Sequence, residues 1–409
     1  MLYSVAFIIL LGMFLGWVCK TCKLPSLIGM LATGILLGPY VLGVLDDSIL
    51  AISADIRKAA LIIILTRAGL SLDLSGLKNI GRPAVTMCFV PATFEVLGVM
   101  LFAPKLLGGS LLEAAILGAV LAAVSPAVVV PRMVKLMEEG YGTRESIPQL
   151  ILAGASVDDV YVIVLFSTFL GMAQGEGVRA MRFVNIPVSI VLGVLVGYLC
   201  GYLFAIFFAK VHMRDTAKIL VILSVSFLLV TLEDIMGQPI EVSGMSFSLP
   251  FTFCALIAIM FVGVSLQKYR EPVAKRLSVK YNKLWVGAEV FLFVLVGATV
   301  NIGYLGKVGF MAIVLIAAAL AFRMLGVYVC LLGTKLRAKE RLFVMLAYCP
   351  KATVQAAIGG VPLAAGLTCG ERVLTVAVLA IVLTAPLGAF AIDVSYQKLL
   401  SGNSVDMKK

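Results

Sequence analysis

The sequence predicts an all-α polytopic membrane protein of about 13 transmembrane helices, and three observations predict it. Of 409 residues, 61% are hydrophobic and only 13% are charged, about half the charged share of a soluble domain. The apolar residues fall in long runs repeated along the whole chain, so most side chains must be solvated by lipid or neighbouring helices. The basic residues between those runs are biased to alternate connections, the signature of membrane topology.

The runs of spanning length are Leu2–Val18, Leu27–Leu42, Ala51–Leu72, Ala84–Leu106, Leu112–Met137, Ile147–Met172 and Phe183–Ala209. The second half adds Ala217–Met236, Met245–Leu266, Leu284–Ile302, Val308–Leu332, Leu342–Leu363 and Val373–Val394. Each is long enough to cross with variable tilt. The first run has no basic residue ahead of it and no small-residue cleavage site after it. A signal peptide needs both, so a retained helix is expected.

An odd number of spans puts the termini on opposite sides. With the N-terminus outside, the cytoplasmic segments are 20–23, 67–82, 132–144, 210–218, 268–283, 335–341 and 398–409, and they hold 24 of the 33 basic residues. Outer connections hold Lys105, Arg179, Arg182, Lys307 and Arg372, and also the acids Asp46, Asp47, Glu233, Asp234 and Glu241. The C-terminus is therefore expected in the cytoplasm. The connections are short, the longest polar one being 267–283, and no soluble domain is expected. Short loops without a regulatory tail suggest a prokaryotic plasma (inner) membrane.

Several function classes are excluded at this point. The net charge of +11 is scattered through loops and forms no basic face with interleaved aromatics, so no nucleic-acid partner is expected. The eight cysteines lie mostly in apolar runs, and Cys19-Lys-Thr-Cys22 has neither a second pair nor a nearby histidine to complete a zinc site. His212, the one histidine, lies in a basic loop. No cofactor and no enzymatic activity are expected.

Ionisable residues in the middle of a span cost about 3 kcal/mol each on insertion scales, so each needs a reason. Asp158 and Asp159 lie near the middle of the sixth span, in Ala-Gly-Ala-Ser-Val-Asp-Asp-Val. Helix neighbours project about 100° apart, so one carboxylate can coordinate a cation while the other meets a counter-charge. Two carboxylates this close resist double ionisation, which favours proton uptake. A purely structural brace is the bland reading, and two adjacent buried acids are a costly brace. Glu95 and Arg323, each mid-span, are expected to pair, either as a structural salt bridge or as part of gating.

Two prolines interrupt spans at matching places. Pro126 follows Ser125 in the fifth span, and Pro350 precedes Lys351 in the twelfth. Spans four to six and eleven to thirteen correspond as inverted repeats, which makes the two broken spans the middle members of both trios. Paired broken helices of this kind point to a transporter's midplane site. Lys351 either compensates the carbonyl ends exposed by the break or takes part in transport directly.

The motifs closely resemble those of the cation/proton antiporter superfamily, in its NHA-type sodium/proton antiporter branch. The matching stretches are Leu-Thr-Arg-Ala-Gly-Leu-Ser-Leu-Asp at 65–73, Ala-Val-Ser-Pro-Ala-Val-Val-Val-Pro at 123–131, Gly-Ala-Ser-Val-Asp-Asp-Val at 154–160 and Pro-Lys-Ala-Thr-Val-Gln-Ala-Ala-Ile-Gly at 350–359. The resemblance implies an antiporter-type elevator fold with two crossed, broken helices, assembled as a homodimer. Helices of 1–80 and 213–303 would form the dimerisation scaffold, and those of 81–175 and 304–397 a mobile core. Residues 176–212 would be a linker helix and 398–409 a cytoplasmic tail. Asp159 would be the main cation and proton carboxylate, with Asp158 beside it. Glu95 and Arg323 would be the branch's buried pair, and Lys351 its basic residue in the crossed helices. Better-known two-aspartate antiporters carry a lysine where Arg323 stands, and arginine does not readily release a proton.

The expected activity is exchange of Na⁺ (or Li⁺) for H⁺, both competing for Asp158 and Asp159 with help from oxygens near Ser125 and Thr353. A sodium-coupled organic-anion symporter is the alternative. An intramembrane aspartyl protease would need its two aspartates on separate helices, and a channel would show a filter loop or a polar pore stripe.

Overall fold

The computed structural model describes all residues except 23, 72–80, 177–179, 238–239, 243–244, 248–252 and 403–409. Leu72, Asp73 and Arg179, named above, and the basic residues Lys23, Lys78, Lys408 and Lys409 of the cytoplasmic segments lie outside the described residues.

The chain is helical almost throughout. In order come α1 (Leu2–Thr21), α2 (Ser26–Leu37), α3 (Asp47–Ala51), α4 (Ser53–Ser71), α5 (Arg82–Met87), α6 (Val90–Leu106), α7 (Leu111–Leu121), α8 (Pro126–Glu138) and α9 (Ile147–Gly171). A π-turn at Met172–Glu176 leads on to α10 (Ala180–Lys210) and α11 (Asp215–Gly237). The strands β1 (Ile240–Val242) and β2 (Met245–Phe247) pair antiparallel, Val242 opposite Met245. Then follow α12 (Ala255–Tyr269), α13 (Glu271–Ala298), α14 (Ile302–Cys330), α15 (Ala338–Ala347), α16 (Thr353–Ile358), α17 (Val361–Ala364) and α18 (Gly370–Leu399).

Among the described residues nine helical stretches are long and apolar enough to cross a membrane. Shorter apolar helices at Ser26–Leu37, Ala255–Tyr269 and Thr353–Ala364 stand at three more of the thirteen expected places. The remaining place is filled by α4, whose charges Asp55, Arg57, Lys58 and Arg67 lower its mean hydropathy.

Local signals set several helix starts. Ser110 and Glu113 form a reciprocal capping box at α7, and Asn301 accepts from the Tyr304 amide at α14. Pro126 opens α8, where its missing N–H costs nothing.

Two expectations are corrected. The polar connection expected at 267–283 is mostly helix, because α13 begins at Glu271. Its Val273, Ala274, Leu277 and Tyr281 are buried against Phe208, Ile219, Ile222 and Leu266, so a spacing of three and four residues hides an apolar stripe among six basic residues. The ninth span, expected from Met245, begins as helix only at Ala255, and a hairpin strand holds Met245–Phe247.

The chain divides into two compact units. One comprises 1–57, 74–175 and 290–409, and the other 58–73 and 176–289. In the first, α6 packs on α14 and α7, and α9 packs on α7 and α8. Its core gathers Met87, Val124, Val129, Met133, Ile151, Val327, Phe343 and Tyr348. In the second, α10 lies along α12, and Gly197 lets the two backbones touch where any Cβ would strike Ala258.

Candidate functional site

The expected fifth and twelfth spans are each broken into two helical halves within the first unit. After α7 the chain leaves the helix at Ala122 and re-enters at Pro126, with Ser125 as the N-cap. After α15 it leaves at Tyr348 and re-enters at Thr353. A proline marks each break, Pro126 opening the second half of one and Pro350 lying inside the other, and neither can continue the preceding helix because its ring clashes and its amide is missing. The breaks meet each other: the Ser125 amide donates to the Pro350 carbonyl at 2.8 Å. The Gln355 amide group donates across the crossing to the Leu121 and Ala123 carbonyls at 3.1 and 2.8 Å. A helix broken in an apolar interior exposes backbone groups that lipid cannot satisfy, so these bonds are what the break requires.

One guanidinium ties the breaks together. Arg323, from the middle of α14, donates through Nε to the Tyr348 carbonyl at 2.7 Å and through Nη1 to the Ala122 carbonyl. Those are the carbonyls at the two broken C-termini, where the helix dipoles concentrate negative charge. The same guanidinium bonds Glu95 Oε2 at 2.8 Å and Asp158 Oδ2 at 2.7 Å. Only arginine's fixed fork of five donors can serve four acceptors at once. Lys351 sits in the second break, but its ammonium reaches Glu95 Oε2 at 2.5 Å, while the open carbonyls go to Arg323. Its own amide donates to the Thr384 hydroxyl at 2.9 Å.

Asp158 is therefore fully engaged on one side. Its Oδ2 takes Arg323 and also the Val124 amide at 3.0 Å, one residue before Ser125. Gly154, one turn earlier on α9, leaves the space that the Tyr348 hydroxyl occupies. Asp159 is 6% exposed and forms no ion pair among the described residues. Four oxygens here are buried without a hydrogen-bond partner among the described residues: Asp158 Oδ1, Asp159 Oδ1, Ser125 Oγ and Thr353 Oγ1. Unpartnered buried oxygens cost on the order of 1–3 kcal/mol each, more for a carboxylate, and such a set suits a small hard cation or protons.

The charges balance except at one residue. Glu95 and Asp158 answer Arg323 and Lys351, all four no more than 1% exposed, and Asp159 is left over. Asp158 is salt-bridged and shares its helix with Asp159, which is not the facing pair that peptide hydrolysis between two aspartates needs.

Sequence reasoning did not single out Gln355, Tyr348 or Arg57. Gln355 could have been found as an amide in an apolar run one turn beyond the break. Arg57 could have been found as an arginine inside the third apolar run, and its guanidinium lies buried beside Gly360.

A family model described as "Sodium/hydrogen exchanger, transmembrane" matches residues 6–394. Sodium/hydrogen exchanger 9B2 of Homo sapiens is 34% identical over 394 residues, which cover 92% of this chain and 70% of that protein. Sodium/hydrogen exchanger 9B1 of Mus musculus is 33% identical over 393 residues, covering 93% and 67%. The sodium proton antiporter MjNhaP1 from Methanocaldococcus jannaschii, solved at pH 8, matches with a TM-score of 0.83 over 97% of this chain and 98% of that one. Its 20% identity makes that a likeness of fold. The two mammalian relatives lend no support to the expected prokaryotic membrane.

Proposed function

This chain belongs to the sodium/hydrogen exchanger family of multi-pass membrane proteins, and we propose that it exchanges Na⁺ for H⁺ at Asp159. The observation that carries the reading is the charge balance. Asp159 is the buried carboxylate with no counter-ion in the network, so it must take either a cation or a proton to become neutral. Sodium and proton compete for the same oxygens, and exchange follows without a separate coupling device. Asp158 Oδ1, Ser125 Oγ and Thr353 Oγ1 would complete the sodium shell, and Li⁺ would fit the same oxygens.

The remaining proposals extend this reading. Residues 81–175 and 304–397 would move as the mobile core of an elevator, and only when Asp159 is neutral, because a bare charge crosses an apolar barrier at high cost. Residues 1–80 and 213–303 would hold a homodimer, joined through 176–212. An N-terminus outside and a C-terminus in the cytoplasm would follow from the loop charge bias, which supports that orientation.

The test is proton flux in proteoliposomes, read with a pH-sensitive dye as Na⁺, Li⁺ or K⁺ is added to wild type and Asp159→Asn. A sodium- or lithium-driven signal in wild type, absent in a folded Asp159→Asn, is expected. Undiminished exchange by the variant would sink the site. A sodium-coupled organic-anion symporter would move no proton in exchange for sodium, so the same trace separates it.

A further inference from the structure

In the second unit, a cavity of about 410 Å³ opens at the end where α10 finishes and α11 and α13 begin. Arg214, Lys218, Arg270 and Arg276 line it with His212, against one acid, Asp215. The positive-inside rule accounts for basic residues in loops at this end. It does not account for their lining one concavity, nor for Lys218, which is 6% exposed inside the first turn of α11 with its ammonium 5.6 Å from the Phe208 ring.

The cations are unequally used. Asp215 is shared between Arg276 at 3.2 Å and Lys218 at 3.6 Å. The side chains of Arg214 and Arg270 form no hydrogen bond or ion pair among the described residues. Each stands just before a long helix, α11 and α13, whose first-turn amides and positive dipole ends add to the field at the cavity. Phe208, Met213 and Val273 supply an apolar wall.

We propose that this cavity binds a phosphate-bearing anion. Paired arginine forks match the tetrahedral oxygens of a phosphate, and helix N-termini favour the same group. The volume exceeds what a bare phosphate fills, and the apolar wall fits an esterified phosphate such as a lipid headgroup with its glycerol. The proposal stands apart from sodium exchange, since binding is read without any flux.

The test is native mass spectrometry of the purified full-length protein in neutral detergent with phosphatidic acid, phosphatidylcholine or inorganic phosphate. Arg214→Gln/Arg270→Gln should weaken phosphatidic acid binding by about 30-fold, from the surface contribution expected of two basic residues. Arg214→Lys/Arg270→Lys should largely retain it, and Lys283→Gln/Lys335→Gln, which removes the same charge from outside the cavity, should leave it unchanged. Retention of phosphatidic acid that inorganic phosphate does not displace identifies a lipid headgroup; displacement by inorganic phosphate identifies a soluble source. Binding no tighter than that of phosphatidylcholine, or equal loss in both glutamine double variants, would overturn the proposal.

Discussion

Replacing Arg323 by leucine should destabilise the protein more than any other single change at the crossing. The guanidinium makes four bonds, two to the carboxylates of Glu95 and Asp158 and two to the carbonyls of Ala122 and Tyr348. Charge-assisted bonds are each worth about 1.5–3 kcal/mol, and a buried carbonyl left unsatisfied costs about 1–3 kcal/mol, so the gross loss is on the order of 5–12 kcal/mol. The net is smaller. A buried guanidinium carries its own desolvation cost, and the stranded carboxylates can take up protons, so about 3–5 kcal/mol is expected, as for other broken buried pairs. Thermal unfolding in detergent measures it, with Arg323→Leu compared against Asp158→Asn and the double variant. Because Asp158 loses its reason to be charged once Arg323 is gone, the double variant should be less destabilised than the sum of the singles, by about 0.5–3 kcal/mol. A single variant as stable as wild type, or strict additivity, would refute the network.

Ser125→Ala and Thr353→Val each remove one unpartnered oxygen and should weaken the apparent sodium affinity by roughly five-fold, with folding intact; sodium titration of exchange checks this, and unchanged affinity in both would remove them from the shell. Gly34→Ala should destabilise by about 1–3 kcal/mol, because its methyl would run into the Val294 carbonyl where α2 crosses α13; a thermal midpoint equal to wild type would contradict that contact. With Asp159 left unbalanced beside the network of Glu95, Asp158, Arg323 and Lys351, and Arg323 unable to release a proton, exchange should move no net charge. Imposing a membrane potential with potassium and valinomycin should then leave the rate unchanged, and a potential-driven acceleration would show a second exchangeable group.

The fold was legible where lipid solvation writes it. Apolar runs placed all thirteen helical regions, since spanning length and hydropathy are local properties. The extension of α13 through 271–283 was hidden, because its buried apolar stripe is only Val273, Ala274, Leu277 and Tyr281, and four basic residues mask it. At the candidate site, Asp158, Asp159, Glu95, Arg323 and Lys351 stood out because each is a charge inside an apolar run. Their partnering was not legible. Nothing local says that Arg323 reaches Asp158 as well as Glu95, or that Lys351 turns to Glu95, because those bonds join residues 165, 228 and 256 positions apart. Gln355 lacks charge, and so its bridge to Leu121 and Ala123 leaves no mark that composition can register.

The proposed exchange requires that Asp159 carry a proton that sodium displaces. Calorimetric sodium titration in buffers of different ionisation enthalpy measures proton release on binding directly. Wild type should release a single proton per sodium ion, with the apparent affinity rising with pH, and Asp159→Asn should release none. Sodium binding without proton release in wild type, or release that survives in Asp159→Asn, would contradict the account.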